Sequence, residues 1–175
     1  MSMMSVGHPD ILKFLFMKQD LQQIENHNIS VKVTDEWMQL AKDNPGFPHI
    51  VSWKDQHWLV PRKLVEICCK TVERGKSSDG RPRDLDICYG IQDLIELPAG
   101  QDPAKIPGIE TCLTVGEIME LVTHNAWSTG EPGMAFMGRI RETEPTPHIG
   151  LIETSNPCGE QFLLSSPMPE ACNLA

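Results

Sequence analysis

The stretch NISVKVTDEWMQLA, residues 28–41, changes its repeat half-way along, and that change restricts the fold more than any other part of the chain. Ile29, Val31 and Val33 alternate with polar residues, as in a half-buried strand. From Thr34 the period becomes helical. Thr34 is a candidate N-cap, Asp35 and Glu36 suit the first turn, and Trp37, Leu40 and Ala41 fall on one face. DNPG, residues 43–46, ends that helix. A strand that runs straight into a helix predicts α/β layering.

The same alternation recurs elsewhere. HPDILKFLFMKQ, residues 8–19, predicts a helix with Pro9 in its first position, Asp10 at the positive end of the dipole and apolar residues on most sides. Leu64, Ile67, Cys68 and Val72 recur at helical spacing in 62–74. TVGEIMELVTHNAW, residues 114–127, carries a capping box in Thr114 and Glu117, with Val115, Ile118, Met119 and Val122 on the apolar face. MAFMGRI reads as a short strand, ETEPTPHIG as a rigid loop, and LIET leads into the motif that follows. GKSSDGRPRD (75–84) and ELPAGQDPAKIPG (96–108) read as loops. Too few strands are visible to close a sheet. The chain also opens almost directly into pattern and stops at ACNLA, so a piece of a longer protein is expected.

The formal net charge of -9 argues against a nucleic-acid binder and gives no support to a membrane-surface role. No apolar run is long enough to cross a bilayer, and MSMMSVGHPD is not a secretory signal. The six cysteines are read as reduced thiols of a cytoplasmic protein, and no Cys-x-x-Cys spacing marks a metal site.

IETSNPCGEQF, residues 152–162, holds the densest chemistry. In an extended segment Asn156, Cys158 and Glu160 would share one side. Pro157 and Gly159 favour an exposed tip. Glu160 offers an acid or base and Asn156 an amide with donor and acceptor. Cys158 offers a nucleophile, a redox thiol or a radical site, or simply a small buried hydrophobe.

ETSNPCGEQ followed by EACNLA resembles the ribonucleotide reductases, specifically the adenosylcobalamin-dependent class. HPDI, NISV at 28–31, AWSTGEPG at 126–133 and PTPHIG at 145–150 are similar to further family segments in the same order. Residues 8–52 and 114–175 carry the resemblance. Residues 53–113 match poorly and are expected to be an insertion. The chain departs from the pattern in CNLA for the usual Cys-Asn-Leu-Gly, and in Gly138 and Arg141 where Asp and Asn are usual.

The resemblance implies a fragment of a ten-stranded α/β barrel that includes its central finger loop. It implies reduction of ribonucleotides, as diphosphates, to deoxyribonucleotides by a thiyl radical, with adenosylcobalamin as cofactor. Cys158 matches the thiyl carrier, Glu160 the carboxylate that takes the 3'-hydroxyl proton, and Asn156 the amide on the sugar hydroxyls. Cys172 matches one of the two redox cysteines. Asn28 and Ser155 match substrate-lining positions, and 18–27 falls where the family has a flexible allosteric loop. Implied partners are the ribonucleotide, a thioredoxin-like reductant and a complementary reductase chain supplying the rest of the barrel. The alternatives are a large-subunit fragment served by a di-iron radical subunit, a non-catalytic fragment that binds such a chain, and a small thiol-redox protein using Cys158 and Cys172. Asp55 and His57 resemble the start of a cobalamin signature that no glycine completes, and are read as chance.

Overall fold

The structure, a computed structural model, describes residues 1–19, 26–74, 88–164 and 170–173. Its strands are β1 (Ser2–Ser5), β2 (Ile29–Val33), β3 (Ile50–Trp53), β4 (Gln56–Leu59), β5 (Ile95–Leu97), β6 (Gly133–Phe136), β7 (Ile152–Ser155) and β8 (Phe162–Leu164). The α-helices are α1 (Ile11–Phe16), α2 (Asp35–Asp43), α3 (Lys63–Arg74), α4 (Val115–Thr129) and α5 (Met137–Glu142). The loop expected at 75–84 lies outside the described residues, as does most of 18–27.

Three parallel strands in the order β1–β2–β6 form the frame, with Ser2 opposite Ile29 and Ser30 opposite Gly133. Each parallel step returns through a helix, α1 after β1 and α4 before β6, as parallel pairing requires. The fold is therefore mixed α/β. Every residue of β2 except Lys32 is buried, so the strand is covered on both faces rather than half-buried. That is the normal state of a central parallel strand.

The helix starts follow the sequence signals. The Thr34 side chain accepts from the Trp37 amide, and Thr114 and Glu117 close the expected capping box. Glu117 also binds Arg62 at 2.6 Å, and that guanidinium, more than the capping contacts, holds its carboxyl below the usual range. Two expectations need correcting. The first helix begins at Ile11, so Pro9 and Asp10 lie in the turn before it. MAFMGRI is divided: the strand stops at Phe136 and Met137 starts α5. The helical spacing in 62–74 is that of α3, where Leu64, Cys68 and Val72 are buried and Ile67 is exposed.

A second, antiparallel sheet, β3–β4–β5, was not visible in the sequence. Its first turn is made by Lys54 and Asp55, both in the left-handed region with φ 49° and 64°. Two-residue hairpins demand that backbone, and glycine or asparagine usually signals it. The turn explains the Asp-x-His spacing, because His57 lies across the hairpin from Ser52 and its Nδ1 bonds the Ser52 hydroxyl at 2.6 Å.

Ile11, Leu12, Phe14, Leu15 and Phe16 meet Val31, Leu64, Ile118 and Val122 in the main core. One imidazole is buried among them. His49 Nε2 donates to the Val6 carbonyl at 3.0 Å, and Trp37 Nε1–H donates to His49 Nδ1 at 3.4 Å. Both ring nitrogens are used by the neutral form. Burial pushes the imidazole down to about 4 from its ordinary 6.5, against the opposing pull of the Val6 carbonyl. A depressed histidine makes the unfolded chain bind more protons between those values. Stability is thus complete above pH 6.5 and falls by about 3 kcal/mol as the pH drops towards 4. Urea midpoints of the wild-type chain should decline over that window and those of His49→Gln should decline less. Parallel pH curves for the two would show that His49 is not the cause.

Candidate functional site

β7 and β8 form an antiparallel hairpin, and the NPCGEQ motif is its loop. The Asn156 amide donates to the Gln161 carbonyl at 3.0 Å, continuing the ladder beyond Ser155. The Gly159 amide then donates to the Asn156 carbonyl at 3.1 Å, closing a four-residue reversal with Pro157 in its second position. Gly159 takes φ +79°, a conformation that costs an L side chain about 1–2 kcal/mol. Pro157 and Gly159 are thus turn chemistry, as their position in the motif suggested.

The expectation that Asn156, Cys158 and Glu160 share a side because the segment is extended is corrected by this turn. The chain reverses, and the residues meet differently. Asn156 is buried, while Cys158 and Glu160 are exposed. Asn156 Nδ2 donates to Glu160 Oε1 at 2.5 Å and lies 3.8 Å from the Cys172 sulfur. Its Oδ1 accepts from the Gln161 amide at 3.0 Å. One buried amide therefore gathers the carboxylate and the second thiol, with the exposed Cys158 two residues away. Cys172, half-buried, reaches this group from the segment after β8.

Asn28 stands just before β2, and its Nδ2 donates to the Pro157 carbonyl at 3.3 Å. The two segments, 129 positions apart, are therefore neighbours. Ser155 is buried. Its hydroxyl bonds the Asn156 carbonyl at 3.0 Å and faces the sulfurs of Met1 and Met3. It lines a cavity of about 260 Å³ between the hairpin and the parallel sheet, with Met3, Ser30, Arg139, Gly159 and Phe162. Of the sequence-picked residues, Asn28, Asn156, Glu160 and Cys172 are linked through the loop, Cys158 projects from it and Ser155 lies beneath it. Gln161 and Lys32 also hold the loop or hairpin and were not singled out, and Arg141, picked out only as a departure from the family pattern, does so too. Lys32 and Arg141 act on backbone groups of another segment, and Gln161 acts through its own backbone, so none leaves a motif.

No group of three potential metal ligands occurs among the described residues. The other cysteines stand apart from the hairpin. Cys68, Cys88 and Cys112 are buried. Burial, aided by Cys88, pushes the Cys68 thiol far up, and burial raises Cys112 as well.

The family model described as "Ribonucleotide reductase, barrel domain" matches residues 1–175. The chain belongs to the ribonucleotide reductase barrel-domain family. The match runs through 53–113 as well as through the recognisable motifs. The chain is 27% identical over 175 residues to a vitamin B12-dependent ribonucleoside-diphosphate reductase of Thermoplasma acidophilum, covering 99% of this chain and 16% of that protein. It is 26% identical over 175 residues to one of Mycobacterium tuberculosis, covering 99% of this chain and 17% of that protein. A vitamin B12-dependent ribonucleotide reductase of Rhodopirellula baltica is 21% identical over 198 residues, with 100% and 14% covered. The chain thus spans about a sixth of the length of the first of these curated relatives. No solved structure matches significantly.

The barrel-family hairpin depends on Asn156 for its local geometry. Asn156→Ala removes the side-chain acceptor of the Gln161 amide and the donor to Glu160, and should destabilise the loop by about 1–3 kcal/mol. The expected readout is faster alkylation of Cys172, whose sulfur the amide now adjoins, with the core cysteines unaffected. An unchanged Cys172 rate would mean that Asn156 does not organise this group.

Proposed function

We propose that this chain supplies the thiyl-bearing loop of a ribonucleotide reductase that converts ribonucleoside diphosphates to deoxyribonucleotides for DNA synthesis in the cytoplasm. The observation that carries the reading is the single amide, Asn156, that joins Glu160 and Cys172 beside the exposed Cys158. Those are four of the groups the reaction needs, and they occur within one loop and the segment that follows it.

In this reading the hairpin is the finger of a ten-stranded barrel. Cys158, as a thiyl radical, takes the 3'-hydrogen and later returns it. Glu160 accepts the 3'-hydroxyl proton, and Asn156 donates to the sugar oxygens. As the 2'-hydroxyl leaves as water, Cys172 and a second cysteine outside this chain give up two hydrogens and become a disulfide. A thioredoxin-like dithiol then reduces it. Asn28 and Ser155 border the sugar site. Residues 53–113, which complete an antiparallel sheet separate from the parallel one and add α3 to the main core, take no part in this chemistry.

The curated relatives are named vitamin B12-dependent, which supports adenosylcobalamin as the cofactor. When bound, that group supplies an adenosyl radical able to take a thiol hydrogen. The chain fits it in one respect: Cys158 is exposed at the turn, open to an initiator. Among the described residues β1 and β6 each have one strand neighbour, which leaves room for further strands from a complementary chain.

The purified chain alone should form no deoxynucleotide with adenosylcobalamin and a dithiol. Mixed with a complementary chain carrying the missing cysteine and phosphate site, it should be active. Cys158→Ser should then reduce turnover to background, and Glu160→Gln should lower it about 10²–10⁴-fold, the usual contribution of a positioned acid or base. Full turnover by the Cys158→Ser assembly would refute the assignment. Dependence on a separate di-iron subunit instead of cobalamin would move the chain to that class.

A further inference from the structure

The hairpin that carries the proposed thiyl loop is joined to the parallel sheet in an unusual way. Among the described residues no backbone hydrogen bond links β7 or β8 to β1, β2 or β6, and the two strands form a sheet of their own. Apolar contact supports the hairpin from below, where Ile152, Leu164 and Phe162 pack with Ala135, Met137 and Ile140. Such contact is strong but non-directional, so it does not set how far the hairpin advances across the sheet.

Besides the weak contacts of the Ser155 hydroxyl with the sulfurs of Met1 and Met3, three side chains of the frame donate to carbonyls of the hairpin. Arg141, on α5, donates from Nε and Nη2 to the Ile152 carbonyl at 3.3 and 3.2 Å. Lys32, on β2, donates from Nζ to the Glu153 carbonyl at 3.3 Å. Asn28, at the start of β2, donates to the Pro157 carbonyl at 3.3 Å. The acceptors are backbone carbonyls at the base of β7 and at the tip of the loop. Two of the three donors are cations, whose bonds to carbonyls are stronger than neutral ones.

We propose that Arg141 and Lys32 are positioning residues that set the advance of the hairpin, and so the place of Cys158, by holding the first carbonyls of β7. Neither side chain touches the Asn156–Glu160–Cys172 group. Each acts on it through the backbone, with Arg141 gripping one carbonyl by two donors while Lys32 holds the next. The consequence for turnover rests on the function proposed above. The mechanical claim does not.

Amide exchange in the isolated chain tests the mechanical claim. Arg141→Met keeps an apolar stem and removes both donors. It should speed exchange of the Asn156, Gly159 and Gln161 amides by about tenfold or more, the loss expected for a charge-assisted bond, with α4 and β2 unchanged. Arg141→Lys keeps one cationic donor and should restore most of the protection. Unchanged hairpin exchange in Arg141→Met, or no rescue by Lys, would overturn the proposal. Should Arg141→Met lose protection throughout, Lys32→Met decides: hairpin-only acceleration is expected, and its absence overturns the proposal. In the assembled reductase, Arg141→Met should lower kcat about tenfold with KM nearly constant, because misplacement of a reacting group acts on the chemical step. A rise in KM at constant kcat would overturn the positioning role. An inactive unsubstituted assembly, with the exchange results as expected, would instead count against the proposed function.

Discussion

The carboxylate of Glu131 fixes where the central strand begins, and much of the molecule follows from that. One of its oxygens accepts the Ile29 amide at 3.2 Å, the first residue of β2. The other meets Lys18 Nζ at 2.6 Å, and that side chain is almost wholly buried. Removing one member of a buried pair is costly, because the other is left charged without a partner. Nearby, the buried Asn125 amide donates to the Leu15 carbonyl and accepts from Gln19, so the end of α1 is tied to α4 by polar groups as well as by packing. The start of β2 is thus pinned by residues that follow two helices, Lys18 after α1 and Glu131 after α4. Asn28, which precedes it by one residue, is therefore held where it can reach Pro157.

From that anchor the geometry of the loop is built outward by polar side chains. Asn156 shows this best. Its Oδ1 is taken by the Gln161 amide, and its two Nδ2 hydrogens have two neighbours, Glu160 and Cys172. A buried side-chain amide engaged at its oxygen and at both nitrogen hydrogens is fixed in one orientation, and it fixes its neighbours with it. Cys158, by contrast, has been left at the exposed apex of the turn.

Much of this was legible in the sequence, for physical reasons that differ by element. α2 and α4 were readable because their caps are local: Thr34 and Thr114 bond amides three residues on. β2 was readable from its alternation, although its buried second face was not, since Ser30 is polar and its burial comes from neighbouring elements. The antiparallel sheet escaped because WKDQHW turns on Lys54 and Asp55, without the glycine that usually marks a left-handed turn. β1 escaped because MSMMS has no apolar alternation, and it exists through its pairing with β2. In the loop, Pro157 and Gly159 announced a tip. The meeting of Asn156 with Cys172 depends on how the chain returns after β8, which no local pattern records.

The cysteines show how position separates residues of one type. Cys68 and Cys88 are buried together, and Cys112 sits in a second apolar cluster with Leu59 and Leu97. Burial disfavours the thiolate, and the thiolate is the reactive form, so Cys68 and Cys112 are held in the unreactive state by the packing they contribute to. Cys158 and Cys172 lie outside those clusters, one exposed and one half-buried, at the two ends of the hairpin loop and its return. Composition alone allowed any of the six to be redox-active. Packing therefore weighs against Cys68 and Cys112 as reactive thiols, whereas Cys172 has the Asn156 amide beside it and Cys158 stands exposed at the turn.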